Sequence, residues 1–196
     1  GPGQGAITST AASDQQAAWM PTVDTGHHDD QWRTLWVYDL KSDSLRQIPT
    51  PGLTVWEANW CGHKAIAAVT SPGPSEALWY SATVTYLDMI SGDYRSLYQS
   101  TLQVGGLSAN AAGSTLAILE SLCSDRGIIA GDLLLIETAT GAVQRMATDN
   151  TDISHTVWVS NTRLQVAGQR NTETTVGRVD SDSGLYPPPW TSHDIV

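Results

Sequence analysis

One strand signature recurs four times along the chain: Leu35-Trp-Val-Tyr-Asp-Leu, Thr83-Val-Thr-Tyr-Leu-Asp, Leu133-Leu-Leu-Ile-Glu-Thr and Thr175-Val-Gly-Arg-Val-Asp. Each copy runs into a turn: Lys41-Ser-Asp-Ser, Ile90-Ser-Gly-Asp, Ala139-Thr-Gly-Ala and Asp180-Ser-Asp-Ser-Gly184. At least the first three return in a second strand, through Leu45-Arg-Gln-Ile, Tyr94-Arg-Ser-Leu-Tyr and Val143-Gln-Arg-Met. The signatures begin 48, 50 and 42 residues apart. A period in the forties made of strands points to the blades of a β-propeller, in which each blade buries its faces against its neighbours.

A second pattern completes each blade. Trp60 precedes Ile66 by six residues, and Asn110 precedes Leu116, Trp158 precedes Leu164 and Ala12 precedes Ala18 by the same interval. A polar turn lies between the members of each pair, and a small apolar segment follows, as in Ala65-Ile-Ala-Ala-Val, Thr115-Leu-Ala-Ile-Leu and Leu164-Gln-Val-Ala-Gly. Strand, turn, strand is the economical reading, and near-continuous apolar runs suit strands covered on both faces. The expected architecture is all-β: about four four-stranded antiparallel blades, half of a larger propeller, at about 5–52, 53–102, 103–150 and 151–190. A β-sandwich is the structural alternative, but sandwiches do not repeat one signature at such a period. The loops between second and third strands, Met20 to Gln31, Ser71 to Leu78, Glu120 to Gly131 and Gln169 to Glu173, then emerge on one face. Loop variation on one face of a repeat array marks a working surface.

Residues 1–4, with Gly1-Pro2-Gly3, read as a tag remnant or disordered start, leaving 5–196 as the partial propeller. With 20 acidic against 10 basic residues and a net charge of -10, the chain repels phosphate backbones and anionic lipid, which argues against nucleic-acid and membrane partners. No apolar run is long enough for a helical span, and no secretory signal opens the sequence. Cys61 and Cys123 are too few for a disulfide framework, and two free thiols fit a reducing, cytoplasmic compartment.

Chemistry-bearing patterns are sparse. Gly106-Leu-Ser108-Ala-Asn110 lacks the closing glycine of a nucleophile elbow, and Gly105-Gly106 is followed by no phosphate-loop lysine. His27-His28-Asp29-Asp30 is a metal-capable cluster, but adjacent histidines on an extended loop point apart, and a solvated loop is the simpler reading. No cofactor is expected. Asp29, Asp30, Asp125 and Asp132 lie in or beside the long loops, where a pair 5 to 9 Å apart would suit glycoside hydrolysis. Among the eight tryptophans, Trp36, Trp60 and Trp158 fall in strand signatures and are expected to wedge between blades. Trp32, Trp56 and Trp79 border loops, with core packing or a ligand-facing role open to them.

The stretch Leu119-Glu-Ser-Leu-Cys-Ser-Asp125-Arg126-Gly-Ile-Ile-Ala-Gly131-Asp132, with the strand and turn that follow it to Gly141, resembles the propeller of the prolyl oligopeptidase superfamily of serine peptidases, in particular its acylaminoacyl-peptidase-like branch. The segments Val166 to Asp180 and Pro189-Trp190-Thr-Ser-His-Asp are similar to the same branch. The resemblance implies an N-terminal propeller portion that gates access of short peptides to an α/β-hydrolase active site absent from this chain, with no catalytic residue to carry over. It also implies that loops holding His27, His28, Asp29, Asp30, Asp125 and Arg126 face substrate. Expected partners are the C-terminal remainder of the propeller and the hydrolase domain, or a second copy joined through open blade edges, whose apolar faces would otherwise lack neighbours. The alternative is a free-standing propeller acting as a protein or peptide binding scaffold, and a small enzyme or lectin using the aromatic and acidic loops is a third class.

Overall fold

A computed structural model of the chain describes residues 32–122, 125–185 and 190–193. Among the described residues the strands form four antiparallel sheets. The first holds β1 (Leu35–Asp39) and β2 (Ser44–Ile48), and the second β3 (Thr54–Cys61), β4 (Ala65–Ser71), β5 (Thr83–Asp88) and β6 (Tyr94–Gln99). The third holds β7 (Gln103–Ala109), β8 (Thr115–Ser121), β9 (Asp132–Glu137) and β10 (Val143–Arg145). The fourth holds β11 (Asp152–Trp158), β12 (Arg163–Arg170), β13 (Glu173–Asp180) and β14 (Gly184–Leu185), with β15 (Trp190–Ser192) also paired to β13. Strand order within each sheet follows chain order, so these are the up-and-down blades of a β-propeller. The six-residue spacing is a pairing register: Trp60 lies opposite Ile66 and Trp158 opposite Leu164.

Period-two alternation sends successive side chains to opposite neighbours. On β4, Ala65, Ala67 and Val69 face the third sheet, meeting Leu116 and Ile118 of β8 and Leu134 and Ile136 of β9. The alternate residue Ala68 joins Leu35, Val37 and Ile48 of the first sheet. On β8, Ala117 and Leu119 turn the other way, onto Ile153, Leu164, Val166 and Val179 of the fourth sheet. All seven residues of β4 are buried. Strand β12 departs from that expectation: Leu164, Val166 and Gly168 are buried, while Arg163, Gln165 and Gln169 are exposed. Its second face is therefore polar, and covering on both faces holds for β4 and β8 but not for β12.

The recurrent turn has a local cause. Asp39, Asp88 and Asp180 end their strands, and each accepts backbone N–H bonds two and three residues on: Asp88 from Ile90 at 2.8 Å and Ser91 at 3.0 Å, with Asp39 and Asp180 bonded likewise. These are Asx turns. The donors, chiefly the N–H of Lys41, Ser91 and Asp182 respectively, hold all three carboxyls below their ordinary values. In the third copy Glu137 stands at this place, and Gly141, at φ +75°, closes the turn by donating its N–H to Glu137 O at 2.8 Å.

At the same ends of the blades, beside these Asx turns, the β3–β4 and β7–β8 turns stack directly on one another. A Cβ on Gly113 would lie 2.5 Å from Gly62 N, and Gly113 also has φ +72°, so both space and backbone exclude other residues there. Cys61 is buried beside this stack and donates its Sγ–H to Gly113 O at 3.2 Å. It is a free thiol, and burial pushes it up to about 11. Cys123 lies outside the described residues.

Two tryptophans part from expectation. Trp36 and Trp60 are about half exposed, at 50% and 53%. Both border an open hollow of about 230 Å³ between β1 and the β3–β4 pair, so they rim a crevice instead of filling an interface. Trp56 and Trp79, for which the sequence leaves core packing or a ligand-facing role open, are both buried between the second and third sheets, and Trp158 packs partly buried as expected.

Candidate functional site: the loop face

Strand β4 ends at Ser71 because Pro72 and Pro74 cannot continue its ladder. The chain then makes a short 3₁₀ helix of about two turns, Glu76–Ser81, before β5. Trp79 anchors that helix in the core, which leaves Glu76 on the surface. The equivalent connection in the third sheet, after β8, lies across the ends of the innermost strands of three consecutive sheets. Its Arg126 reaches back to Trp56 on β3. Its Ile129 covers Gly105 on β7, where an added Cβ would lie 3.3 Å from the Ile129 side chain. Its Gly131 pairs with Ile153 on β11 through reciprocal N–H···O bonds of 3.0 and 2.8 Å.

Four side chains converge under this loop. The guanidinium carbon of Arg33 lies 4.6 Å from the Trp56 ring centre, and that of Arg126 lies 5.3 Å from it. Both cations meet one carboxylate: Arg126 Nε donates to Glu76 Oε1 at 3.0 Å, and Arg33 Nη2 is 3.8 Å from Oε2. Trp56 is fixed from behind, its indole N–H donating to Ser71 Oγ at 2.9 Å, and that hydroxyl in turn donates to Gly73 O. Cations over an indole are held by its electron-rich face, and a guanidinium so placed keeps its N–H donors in its own plane.

Beside this cluster, Glu57 of β3 accepts the N–H of Gly106 at 3.3 Å and of Leu107 at 3.0 Å from β7. The donors are exposed by a bulge between Gly105 and Ser108, with Gly106 at φ +63°. Glu57 thus ties one innermost strand to the next. Glu120, at the end of β8, is buried among Tyr98, Ser100 and Arg145, all of which donate to it. Burial alone would raise this carboxyl, but hydrogen bonds from Ser100, Tyr98 and Arg145 outweigh it and hold the group below its ordinary value. Arg145 also meets Asp132, so the outer strands of the second and third sheets are joined by one charged network.

Of the site residues expected from sequence, Arg126 enters the four-residue cluster. Asp125 is exposed beside it, with its carbonyl accepting the Ile128 N–H at 3.2 Å. His27, His28, Asp29 and Asp30 lie outside the described residues. Sequence reasoning missed Arg33, Trp56, Glu57 and Glu76 as a group. A signal for two of these contacts was present: Arg126 and Glu76 are 50 residues apart, and Glu57 and Leu107 also 50, which is the blade period. Equivalent positions of adjacent blades face one another, so complementary residues one period apart are contact candidates.

The geometry suits binding of an anionic group. Among the described residues, no cluster of three or more His, Cys, Asp or Glu is placed to hold a metal. Ser154 Oγ and His155 Nδ1 lie 3.0 Å apart, but they are sequence neighbours on an exposed strand and no carboxylate is bonded to the imidazole among the described residues, so the orienting member of a triad is missing there. No helix of the described residues is long and apolar enough to cross a membrane.

No protein-family model matches the sequence, and no curated protein matches it. Solved structures do share its fold. An oligogalacturonate lyase from Vibrio parahaemolyticus aligns with TM-score 0.59 at 9% identity, over 79% of this chain and 48% of that one. TolB from Acinetobacter baumannii aligns with TM-score 0.54 at 16% identity, over 77% of this chain and 36% of the other. A puromycin hydrolase aligns with TM-score 0.56 at 15% identity, over 78% of this chain and 23% of that enzyme. The chain therefore spans about half or less of the length of the structures it resembles, and at these identities the likeness establishes the propeller-blade fold.

Proposed function

We propose that this chain is the non-catalytic β-propeller portion of a prolyl-oligopeptidase-type serine peptidase of the acylaminoacyl-peptidase-like kind, working in the cytoplasm. Its role is to gate short peptides on their way to an α/β-hydrolase active site carried elsewhere in the parent protein. The observation that carries this reading is the loop after β8, whose Arg126, Ile129 and Gly131 reach Trp56 on β3, Gly105 on β7 and Ile153 on β11, so that it spans the innermost strands of three sheets. A loop so placed filters by size what passes along the innermost strands, and loops on a rigid repeat scaffold are where such selectivity resides. The puromycin hydrolase likeness agrees with it at the level of fold. Partners under this reading are the rest of the propeller and the hydrolase domain.

The polar far face of β12 favours a second reading, a free-standing propeller that serves as a binding scaffold and meets others, copies of itself included, through open blade edges. Outer faces of terminal repeats are polar because no neighbour covers them. Following the reading frame past Val196 and labelling its full product with an active-site-directed fluorophosphonate separates the two. The gating reading expects further blades, a Gly-x-Ser-x-Gly motif and one labelled serine within that motif. A full product without the motif and without label overturns it and leaves the scaffold.

A further inference from the structure

The chain carries 20 acidic and 10 basic residues, yet at one point two arginines meet a single carboxylate. They arrive from separate places, Arg33 just before β1 and Arg126 from the loop after β8, and both settle over the ring of Trp56. Two like charges gathered over one indole repel each other, and a cluster of this kind is stable only with an anion among its donors. Glu76 is that anion, but an incomplete one. It holds Arg126 at 3.0 Å and Arg33 only at 3.8 Å, and its side chain is 61% exposed. It also opens a six-residue 3₁₀ helix whose N-cap residue, Ser75, makes no side-chain capping bond. By contrast the indole beneath is buried and fixed by Ser71. The two guanidinium groups reach the surface over a buried, fixed indole, and the carboxylate between them is the most exposed of the three charges, an arrangement suited to exchanging one carboxylate for another.

We propose that Arg33 and Arg126, held over Trp56, form a subsite for a ligand carboxylate, taken by the C-terminal carboxylate of a short peptide, with Glu76 as the internal carboxylate that occupies it when no ligand is bound. The choice of a peptide rests on the gating reading above; the carboxylate chemistry rests on the cluster alone. Guanidinium forks pair with carboxylates in bidentate geometry and discriminate strongly against neutral groups of the same shape. Glu76, on leaving, exposes its charge to water at little cost, because it is already largely solvated.

The test is calorimetric binding on the 196-residue chain at low salt, comparing acetyl-trialanine with a free C-terminal carboxylate against the same peptide as its C-terminal amide, and trigalacturonate as a carboxylate-bearing sugar. The acid is expected to bind at least about 10-fold more tightly than the amide, the effect of one charge-assisted contact. Arg126→Gln and Arg33→Gln each erase most of that preference, while Glu76→Gln tightens the acid by about 3-fold, the scale of one exposed ion pair. Equal binding of acid and amide by the unaltered chain overturns the subsite without reliance on any variant's folding, and leaves the gating reading to the labelling experiment. Arginine variants that retain the full preference overturn it as well. Binding of trigalacturonate and not the peptide acid, lost in Arg126→Gln, supports the carboxylate subsite and counts against the peptide-gating reading.

Discussion

Strands β8 and β12 hold the same place in successive sheets, and Leu116 of one corresponds to Leu164 of the other, both turned toward the preceding sheet. The next residue of each turns toward the following sheet. On β4 and β8 that residue is Ala67 and Ala117, each fully buried, and on β12 it is Gln165, which is exposed. Alanine leaves room for a neighbouring sheet to approach, whereas glutamine opposite Arg178 makes a surface for water. Arg163 and Asp180, paired at 3.5 Å, extend the same polar face. Burial on two faces is thus a property of each sheet's neighbours, and one position, read across the repeats, reports it.

The largest effect follows from charging the doubly covered strand. Ala117→Asp places a carboxylate at a position with no water on either side, an unpaired buried charge that costs about 4 kcal/mol or more. Urea denaturation is expected to show a chain that is largely unfolded or that loses most of its midpoint. A midpoint near that of the unaltered chain would mean that the third and fourth sheets do not pack through Ala117.

Cavity formation is next in size, and it should destabilise both strands because both have a covered face toward the preceding sheet. Ile118→Ala on β8 and Val166→Ala on β12 remove buried methyl groups, costing about 2–5 and about 1–3 kcal/mol respectively. Chemical denaturation checks the ordering. Loss at Ile118 with none at Val166 would show that the fourth sheet does not share the core.

Glu120 gives a smaller effect with a pH signature. Its folded carboxyl is held below the ordinary value near 4.3, so its contribution is fully present above that value and is lost as pH falls through the depressed folded one. Glu120→Gln is expected to cost roughly 1–3 kcal/mol at neutral pH, since the hydroxyls of Tyr98 and Ser100 and the Arg145 guanidinium lose their anionic acceptor. The stability difference between the two chains should shrink below about pH 4 and vanish in stronger acid. A difference that stays constant from pH 7 to pH 3 would exclude the charged network as its source.

Much of this fold could be read before any coordinate. The Asx turns after Asp39, Asp88 and Asp180 and the six-residue register through Trp60 and Ile66 are local, and local chemistry repeats visibly in sequence. Exposure of the tryptophans was not legible. Trp36 and Trp60 lie on strands, but a strand residue is buried only if something packs on its face, which depends on a partner far away in sequence. Leu164-Gln-Val-Ala-Gly looked like its counterparts because its apolar count is similar, and only the alternation of Arg163, Gln165 and Gln169 separates them. The site was half legible: the long loop drew attention to Arg126, whereas Trp56 seemed a core residue or a ligand contact and is the buried floor beneath two cations. Arg33 and Glu76 carried no local mark, since what selects them is a shared contact between blades.

The smallest expected effect is the sharpest test of the comparison. Gln165→Asp makes at the corresponding position of β12 the same change that ruins β8, yet its side chain meets water, with Arg178 directly opposite on β13. Exposed substitutions alter stability by no more than about 0.5 kcal/mol, and a carboxylate across from a guanidinium is on the favourable side of that range. Urea midpoints of the unaltered chain and the variant should therefore agree closely, with the small gain fading at high salt. A loss approaching that of Ala117→Asp would mean that the far face of β12 is buried in solution against something, either a second copy or another part of the molecule. Sedimentation of the two chains at matched concentration tells those apart, because only a second copy makes the mass depend on Gln165.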